Sequence, residues 1–199
     1  MQAAKLGKRA AIVERGHVIG GVCVDTGTIP SKTFREAVHS LNGRAFPDSH
    51  QTRSRSVVHP SAQELLARVE EVEQRKADII TDQLQRNEVT VLIGEASFTD
   101  SHTVAIASDQ GFVVVTAAHI LIAVGTTPAP PPGVSTEPGL VVTSDELLQL
   151  TSLPRRLAVV GAGVIGIEYA SMFAALGIDV TVIDKRDRPL EFLDREIVD

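Results

Sequence analysis

The spacing of hydrophobic and polar residues changes several times along the chain, and each spacing predicts a different element. Apolar residues recur at helical intervals over residues 31–41 and again over residues 61–86, which predicts two helices in the first half of the chain. Ser61 and Glu64 have the spacing of a capping box, in which each side chain bonds the backbone N–H of the other residue. The longer helix is therefore predicted to begin at Ser61.

Beyond the second helix the spacing becomes that of β-strands. Short β-prone runs at residues 89–93, 103–107 and 112–116 are separated by turn residues, and this pattern predicts an antiparallel meander. Residues 119–124, HILIAV, are continuously apolar, as in a strand that is buried on both faces of a sheet. The proline-rich residues 125–133 cannot continue a sheet, so this strand is predicted to end before them.

Strand and helix patterns alternate at both ends of the chain. Near the N-terminus, residues 10–14 form a β-prone run after a short helical segment. Near the C-terminus, residues 157–160 predict a strand, which is followed by a helix that ends at Leu176 and by a strand over residues 179–184. Alternating strands and helices are typical of parallel sheets. The predicted fold class is therefore α/β, with two Rossmann-like dinucleotide-binding units and an antiparallel β-meander.

The composition is that of an ordinary globular protein, and it narrows the function classes. Of the 199 residues, 43% are hydrophobic and 22% are charged, and the net charge of -6 argues against a nucleic-acid surface. No apolar run approaches the roughly 20 residues that span a bilayer, so no membrane association is expected. The single cysteine excludes an internal disulfide, and none of the six histidines has metal-ligand spacing. We expect a soluble cytoplasmic protein without a metal centre.

A glycine-rich motif follows the strand at residues 157–160. The sequence GAGVIG places Gly161, Gly163 and Gly166 in the G-x-G-x-x-G pattern of a dinucleotide-binding turn. The first glycine permits a tight turn, the second lets a pyrophosphate approach the backbone, and the third lets helix and strand pack closely. The N–H groups at the start of the helix also favour a phosphate. Because a strand precedes the motif and a helix follows it, we predict a nucleotide site rather than a simple glycine-rich turn.

The acidic residue expected about 20 positions beyond the motif is Asp184. Its carboxylate would accept a hydrogen bond from a ribose 2′-hydroxyl, which favours NAD. Lys185, Arg186 and Arg188 follow at once, and cations at these positions could instead pair with the 2′-phosphate of NADP. The alternative interpretation is that the three cations are solvated charges of a loop. The residues leave the choice of cofactor open, and a site that accepts both fits the mixture.

A first dinucleotide unit is indicated near the N-terminus, where Glu14 ends the strand at residues 10–14. An acidic residue at the end of this strand is the one that binds ribose in such a fold. The glycine motif that should precede it would lie before Met1, and the later unit stops at Asp199. We therefore expect a fragment in which both dinucleotide-binding units are incomplete.

The only cysteine lies in a segment rich in turn formers, GGVCVDTGTIPSK, which runs from Gly20 to Lys32 and is predicted to form a loop. A second cysteine five positions after Cys23 would form a redox disulfide across a tight loop, but Thr28 stands there. A threonine has no thiol, so this disulfide cannot form. The segment therefore has the sequence spacing of a redox-active loop but lacks its second thiol.

Several of these segments together resemble the FAD- and NAD-linked disulfide reductase family. GGVCVDTGTIPSK, the later GAGVIGIEYA and the segment IAVGTTP occur in the order found in that family, and the resemblance covers nearly all of the chain. In the family, two cysteines separated by four residues form a redox disulfide beside the flavin. Threonine in place of the second cysteine resembles the transhydrogenase branch. This implies a flavoprotein oxidoreductase that moves hydride between NAD(H) and NADP(H) through FAD.

The resemblance assigns several residues to the flavin. It implies that Glu14 binds the adenosine ribose of FAD and that Thr28 lies near the isoalloxazine ring. It also implies that Gly20, Gly21 and Cys23 line the diphosphate and the ring. These roles follow from the family and not from spacing or composition.

The same resemblance implies a catalytic pair. Lys32 matches the family lysine beside the reactive flavin nitrogen, and Glu168 matches the glutamate that pairs with this lysine and orients the nicotinamide. Gly125 matches a position where the backbone approaches the cofactor closely, and Val124 stands where threonine is usual. The alternative interpretation is an exposed first-turn lysine and an ordinary glutamate on a helix surface. Sequence spacing does not show that the two side chains touch.

The resemblance also implies domains and partners. Residues 1–150 would form a partial FAD-binding domain and residues 151–199 a partial NAD(P)-binding domain, with FAD, NAD and NADP as cofactors. The family's dimerisation region is C-terminal, so we expect the full-length parent to be a homo-oligomer. Two alternatives stay open. One is a dihydrolipoamide dehydrogenase-like relative that has lost its redox cysteine pair, and the other is an inactive, truncated nucleotide-binding module.

Overall fold

The computed structural model describes residues 1–16, 18–45, 61–129, 133–134 and 139–198. At residues 41–45 and 62–63 this description covers the backbone and not the side chains. Its elements, in chain order, are α1 (Gln2–Lys5), β1 (Ala11–Glu14), α2 (Val22–Asp25), α3 (Thr28–Ala45), α4 (Ala62–Arg86), β2 (Thr90–Ile93), β3 (Glu95–Asp100), β4 (Thr103–Ser108), β5 (Gly111–Thr116), β6 (Arg156–Val160), α5 (Val164–Ala175), β7 (Asp179–Ile183) and α6 (Arg195–Val198). A short 3-10 turn, Leu147–Gln149, precedes β6.

The described strands form three small sheets. β1 pairs in parallel with β2, with Ala11 opposite Thr90. β3, β4 and β5 form an antiparallel meander. β6 pairs in parallel with β7, with Arg156 opposite Asp179. Parallel pairs beside helices, together with a separate meander, agree with the predicted α/β class.

Two compact units share the chain. Unit 1 comprises Met1–Asp25 and Glu73–Thr127, and unit 2 comprises Thr26–Val72 and Pro128–Asp199. Helix α4 therefore begins in unit 2 and ends in unit 1. The predicted division into FAD-binding and NAD(P)-binding domains at residue 150 concerns the cofactor that each part binds, and it stays a prediction.

The core of unit 2 is formed by α3, the first turns of α4 and α5. The buried residues of α3 and α4 occupy apolar positions with the helical spacing described above. The ring of Phe34 packs against Phe173, with ring centroids 5.7 Å apart, and against Tyr169, at 6.5 Å. The other buried members are Val38, Leu65, Val69, Met172 and Leu176. This packing fixes α3 against α5.

Both long helices are present, and α3 begins earlier than its spacing predicts. The Glu64 N–H donates to Ser61 Oγ at 3.2 Å, and the Ser61 N–H donates to Glu64 Oε2 at 3.0 Å, which confirms the capping box of α4. Helix α3 begins at Thr28 because a helix accepts a proline such as Pro30 in its first turn, where the N–H has no partner within the helix. Residues 43–59 have no periodic apolar spacing, which predicts a surface loop; residues 43–45 instead belong to α3, and residues 46–59 lie outside the described residues.

The segment from Gly20 to Lys32 is mainly helical, so the prediction of a loop is wrong. Helix α2 covers Val22–Asp25, and α3 begins only two residues later. The turn is made by two glycines with positive φ, Gly20 at 138° and Gly21 at 62°. Because glycine adopts such angles without strain, the chain reverses there in two residues and is free to become helical at once.

The meander does not contain the first strand that was expected of it. Residues 90–93 form β2, which pairs with β1, and the first strand of the meander is β3. Gly94 separates β2 from β3 with φ at 151°, and a Cβ there would lie 2.5 Å from the Ala107 carbonyl oxygen. All side chains of β3 are exposed, and its polar sequence lacks the alternation that marks a strand. Spacing also does not specify which strand a run pairs with.

Residues 119–124 do not form the buried strand that their apolar run predicts. These residues form no strand, and the side chains of Leu121, Ile122 and Val124 are 89%, 67% and 84% exposed. An apolar run becomes a buried strand only where a neighbouring strand bonds its backbone. No strand in the described part of the chain pairs with this segment. The apolar pattern indicates that the segment tends to be buried, but it does not show whether another strand lies beside it to form hydrogen bonds.

The described residues show neither a membrane-spanning helix nor a metal-binding cluster. None of the helices in that part of the chain is long and apolar enough to cross a membrane. Among the same residues, no group of three or more His, Cys, Asp and Glu side chains converges as a metal site would require.

Candidate nucleotide-binding site

The glycine-rich turn between β6 and α5 has the conformation that a dinucleotide site requires. Gly161 adopts φ of 112°, which residues with a side chain rarely adopt, and its N–H donates to the Ile183 carbonyl oxygen at 2.7 Å. A Cβ on Gly166 would lie 1.9 Å from the Gly161 carbonyl oxygen, so only glycine lets α5 approach the turn this closely. The tight turn at Gly161 and the close approach at Gly166 are confirmed, and cofactor binding by these residues stays a prediction.

Gly163 leaves open space in front of the N-terminus of α5. It adopts φ of −79°, a conformation that any residue can take, and a Cβ there would meet no atom within 4 Å. The described protein around it therefore gives no reason for glycine at this position. The first N–H groups of any helix lack an acceptor within the helix and carry the positive end of its dipole. Open space in front of such donors fits a pyrophosphate group.

Asp184 follows β7 directly and is tied to the glycine turn and to Arg186. Its Oδ2 accepts from the Ala162 N–H at 2.5 Å and from Arg186 Nη2 at 2.7 Å. Its Oδ1 accepts from the backbone N–H and the Nε of Arg186, both at 2.8 Å. The Asp184 side chain is 10% exposed and the Arg186 side chain 35%. The carboxylate predicted to bind ribose is thus engaged in an internal ion pair.

These donors keep Asp184 ionised. The side-chain hydrogen bonds from Arg186, followed by the N–H groups of Ala162 and Arg186, hold the pKa of the Asp184 carboxyl well below its usual range. In return, the carboxylate raises the pKa of the Arg186 guanidinium. Both groups therefore stay charged near neutral pH. The pair can hold or attract a charged ligand, and it is unsuited to proton transfer.

Ala162 and Leu190 also shape this site, although no sequence pattern points to either. The Ala162 carbonyl accepts from the Leu190 N–H at 3.1 Å, so the loop after β7 folds back onto the middle of the glycine motif. Leu190 adopts φ of 48°, which is unusual for a bulky residue. Of the cations in this loop, Lys185 is exposed and Arg188 is partly buried. Both contacts of Ala162 use backbone atoms, which the identity of a side chain does not reveal.

Lys32 on α3 and Glu168 on α5 form an ion pair in unit 2. Lys32 Nζ donates to Glu168 Oε1, and the adjacent packing of Phe34 against Tyr169 brings their helices together. The lysine side chain is 51% exposed and the glutamate 18%, so a ligand can reach both from solvent. The contact that the family resemblance implies is confirmed. Its catalytic role stays a prediction.

In unit 1, Glu14 ends β1 and holds the turn that follows. Its Oε1 accepts from the Gly16 N–H at 2.9 Å. A Cβ on Gly20 would lie 2.4 Å from Val24 Cγ2, so this glycine is required by packing. A Cβ on Gly21 would meet no atom within 4 Å. The carboxylate at the strand end and the open space at Gly21 are features that fit a second nucleotide.

The cysteine and its threonine counterpart both lie on helices. Cys23 is exposed on α2, and Thr28 is exposed in the first turn of α3. Gly125 adopts φ of 69°, and a Cβ there would lie 3.3 Å from Val22 Cγ2, in the first residue of α2. Within unit 1 the structure therefore brings Gly125 against the short helix that carries Cys23.

Comparison with known proteins identifies the family. The whole chain, residues 1–199, matches the family model of the pyridine nucleotide-disulphide oxidoreductases. The chain belongs to this family. A curated relative from Mycobacterium tuberculosis, named soluble pyridine nucleotide transhydrogenase, is 50% identical over 199 residues, which cover 98% of this chain and 42% of that protein. The chain therefore spans less than half the length of this relative.

Two solved structures share the fold. LpdA from Mycobacterium tuberculosis has a TM-score of 0.88 at 26% identity, over 98% of this chain and 44% of LpdA. The HOCl-induced flavoprotein disulfide reductase RclA from Escherichia coli, solved as a Cu(II) complex, has a TM-score of 0.79 at 29% identity, over 98% of this chain and 41% of RclA. These likenesses confirm the predicted α/β fold with Rossmann-like units.

Within this pyridine nucleotide-disulphide oxidoreductase, the predicted site residues fall into two groups. Unit 1 holds Glu14, Gly20, Gly21, Cys23 and Gly125. Unit 2 holds Thr28, Lys32, Gly161, Gly163, Gly166, Glu168, Asp184, Lys185 and Arg186. In unit 2 the structure joins the lysine to the glutamate and ties the aspartate to the glycine turn. In unit 1, Glu14 at the end of β1 accepts a hydrogen bond from the Gly16 N–H.

Proposed function

We propose that this chain is the cofactor-binding part of a flavoprotein that transfers hydride between NAD(H) and NADP(H) through FAD. The observation that carries the proposal is the single exposed cysteine, Cys23, with Thr28 where a second thiol would stand. Electrons then have no internal disulfide to enter, which leaves the nicotinamides as hydride partners. The 50% identity to proteins named soluble pyridine nucleotide transhydrogenase supports the same activity.

The two cofactors are proposed to occupy different parts of the chain. Residues 1–150 would bind FAD, with Glu14 on the ribose and the glycine turn, α2 and Gly125 along the diphosphate and ring. Residues 151–199 would bind NAD(H) and NADP(H), with the pyrophosphate in the open space at Gly163 and the adenosine ribose near Asp184. The open positions at the two glycine turns support this assignment, because neither is filled by the described protein.

Lys32 and Glu168 are proposed to act at the reacting rings. Bound FAD would supply the hydride chemistry, which no amino-acid side chain provides. Lys32 supplies a positive charge that stabilises negative charge developing beside it. Glu168 keeps Lys32 Nζ in place and offers a carboxylate, 18% exposed, that can orient a nicotinamide. The glycine turn holds the dinucleotide, and this positioning lowers the entropic cost of the transfer.

The test begins with flavin retention. The purified protein is incubated with FAD and desalted, and its visible absorption spectrum is recorded before and after anaerobic addition of NADPH. We expect retained flavin bands that NADPH bleaches, followed by reduction of a thionicotinamide analogue of NAD⁺. Replacing Lys32 with glutamine should lower this turnover by about 10–100-fold, because it removes one charge stabilising the transition state.

Cys23→Ser is the matched control, since it removes the only thiol from the same segment. Cys23 lies on α2 in the proposed flavin site, so the near-isosteric serine is used; transhydrogenation should persist in this variant, because the proposed reaction uses no thiol. Reduction of lipoamide that depends on Cys23 would instead establish a disulfide reductase relative. A protein that retains no flavin would be the inactive nucleotide-binding module. Either result would overturn the proposal.

The proposal also includes the cellular compartment of the protein and its oligomeric state. We place the protein in the cytoplasm, because one unpaired cysteine fits a reducing compartment and because the relatives are named soluble. We further propose that the full-length protein is a homo-oligomer, as the family resemblance implies. Sedimentation of the full-length protein measures its mass directly, and a monomer at micromolar concentration would contradict this part.

A further inference from the structure

We propose that Leu190 is a positioning residue for the nucleotide, because its N–H orients the peptide between Ala162 and Gly163 so that the Gly163 N–H faces the bound pyrophosphate. The inference rests on the proposed function, since it requires a nicotinamide dinucleotide at the turn between β6 and α5. It concerns the pyrophosphate, which NAD(H) and NADP(H) share. The effect of Leu190 is therefore expected to be the same for both dinucleotides.

The loop that follows β7 holds both backbone groups of the middle residue of the glycine turn. The Ala162 N–H donates to Asp184 Oδ2 at 2.5 Å, and the Ala162 carbonyl oxygen accepts from the Leu190 N–H at 3.1 Å. Ala162 is only 4% exposed, and a buried carbonyl needs a partner within the protein. The loop therefore begins and ends on the same residue of the turn, and Leu190 makes the second of the two contacts.

The contact to the Ala162 carbonyl also fixes the direction of the next N–H in the chain. The peptide between Ala162 and Gly163 is trans and planar, so its C=O and its N–H point in opposite directions. Since the carbonyl is turned toward Leu190, the Gly163 N–H points away from the loop. None of the hydrogen bonds among the described residues uses this N–H. It lies at the N-cap of α5, where an anion is favoured, and is available to a phosphate oxygen.

Leu190 makes its contact in a backbone conformation that leucine disfavours. Its φ of 48° lies in the left-handed region, where the Cβ crowds the following carbonyl oxygen. The Leu190 carbonyl accepts from the Leu193 N–H at 2.9 Å, so a turn holds the residue on its other side. Strained residues persist only where the surrounding structure determines them, and they cluster at functional sites. The strain at Leu190 is therefore a reason to assign it a function.

The other described non-glycine residue with a positive φ has an ordinary explanation. Glu88, with φ of 55°, lies two residues beyond the end of α4, where a left-handed residue commonly ends a helix. Leu190 follows a strand and a loop and ends no helix. A helix end does not account for its conformation, whereas the contact with the glycine turn does.

The decisive experiment compares two replacements that change the backbone preference of residue 190 in opposite directions. Leu190→Gly removes the side chain but adopts a positive φ readily. Leu190→Ile keeps the same number of side-chain atoms, but a β-branched residue resists a positive φ. Calorimetric titration with NAD⁺ and with NADP⁺ measures both variants. We expect Leu190→Gly to keep both Kd values within about twofold of the wild type, and Leu190→Ile to raise both by about threefold or more.

A second measurement follows the Gly163 N–H itself. In a nitrogen–proton correlation spectrum, the Gly163 amide proton should move downfield when either dinucleotide binds, because it then donates to a charged oxygen. At saturation, Leu190→Gly should show the same change in chemical shift as the wild type, and Leu190→Ile should show a smaller one. Leu140→Ile is the matched control, since it makes the same exchange at a 76% exposed position of unit 2 and should alter neither Kd.

The outcomes distinguish this inference from the function on which it rests. Equal Kd values for Leu190→Ile and the wild type would overturn the inference, because binding would then not depend on the conformation of residue 190. Weaker binding by Leu190→Gly than by Leu190→Ile would also overturn it, because the side chain would then be the group that matters. In both cases the proposed function stands.

Thermal unfolding shows whether each variant is still folded. If isoleucine disturbs the fold, the glycine variant still decides, because retained binding without a side chain is the expected result and lost binding is the contrary one. If the wild type binds neither dinucleotide, the proposed function fails and the inference fails with it.

Discussion

Replacing Gly166 with alanine tests how closely the start of α5 approaches the carbonyl oxygen of Gly161. The added Cβ would lie 1.9 Å from the Gly161 carbonyl oxygen, and real Cβ contacts essentially never fall below 3.0 Å. The start of α5 must therefore retreat by at least 3.0 − 1.9 = 1.1 Å. A backbone carbonyl cannot rotate away as a side chain can. We therefore place the strain at the upper end of overpacking values, about 3 kcal/mol.

Helix propensity favours alanine, so the sign of the change in the free energy of unfolding shows whether the steric strain is the larger effect. Alanine in place of glycine inside a helix stabilises it by about 1 kcal/mol. The net loss expected for Gly166→Ala is therefore about 2 kcal/mol in the free energy of unfolding. Gly163→Ala is the matched control, because its Cβ would enter open space at an ordinary φ of −79°. Because Gly163 is the N-cap of α5, where alanine is poorer than glycine, its stability should fall by no more than about 1 kcal/mol.

Urea unfolding followed by far-ultraviolet circular dichroism measures both variants, and calorimetric titration with NADP⁺ completes the comparison. Gly166→Ala should lose stability, whereas Gly163→Ala should stay folded and lose nucleotide affinity, because its methyl group fills the proposed pyrophosphate space. An alanine at position 166 that leaves stability equal or higher would refute the close approach of α5 to the turn. Unchanged NADP⁺ binding by Gly163→Ala would refute the assigned position of the pyrophosphate.

Three other predictions follow from the packing, the cap and the ion pair. Phe173→Ala should lower the free energy of unfolding by about 3–5 kcal/mol, because the ring is 2% exposed. Val164→Ala, at a 58% exposed position of the same helix, should change it by less than about 0.5 kcal/mol. Equal losses of the two variants in urea unfolding would contradict this. Ser61→Ala removes the hydroxyl that caps α4 and should lower the free energy of unfolding by about 1 kcal/mol, and Ser61→Asp should retain most of the wild-type stability. Identical stability of the wild type and both variants would show that the cap contributes nothing. Because the pKa of Asp184 in the folded protein lies below its ordinary value of 3.8, its stabilising contribution is present above that pH and is lost as the pH falls toward the lowered pKa. Asp184→Asn should therefore flatten the acid side of the stability curve, and a curve as steep as that of the wild type would contradict the assignment.

Features set by short stretches of chain could be predicted from the sequence. The capping box at Ser61, the helical spacing of α3 and α4, and the glycine turn at Gly161 depend on residues within one or two turns of one another. Propensity, capping and positive φ act over that distance, so the pattern carries the information. The family resemblance extended this to the pairing of Lys32 with Glu168, which the structure confirms and which no spacing implied.

The tertiary structure alone decided the features that need a distant partner. Residues 90–93 have the same β-prone pattern whether they join the meander or pair with β1, and only the fold selects β1. The apolar run at residues 119–124 predicts burial, yet a strand forms only where another strand offers its hydrogen-bonding groups. The sequence predicts Asp184 as a ribose ligand, and only the fold brings its carboxylate to the Ala162 N–H, 22 residues earlier in the chain. Local patterns specify what each segment can do, and contacts between distant segments determine which of these states is realised.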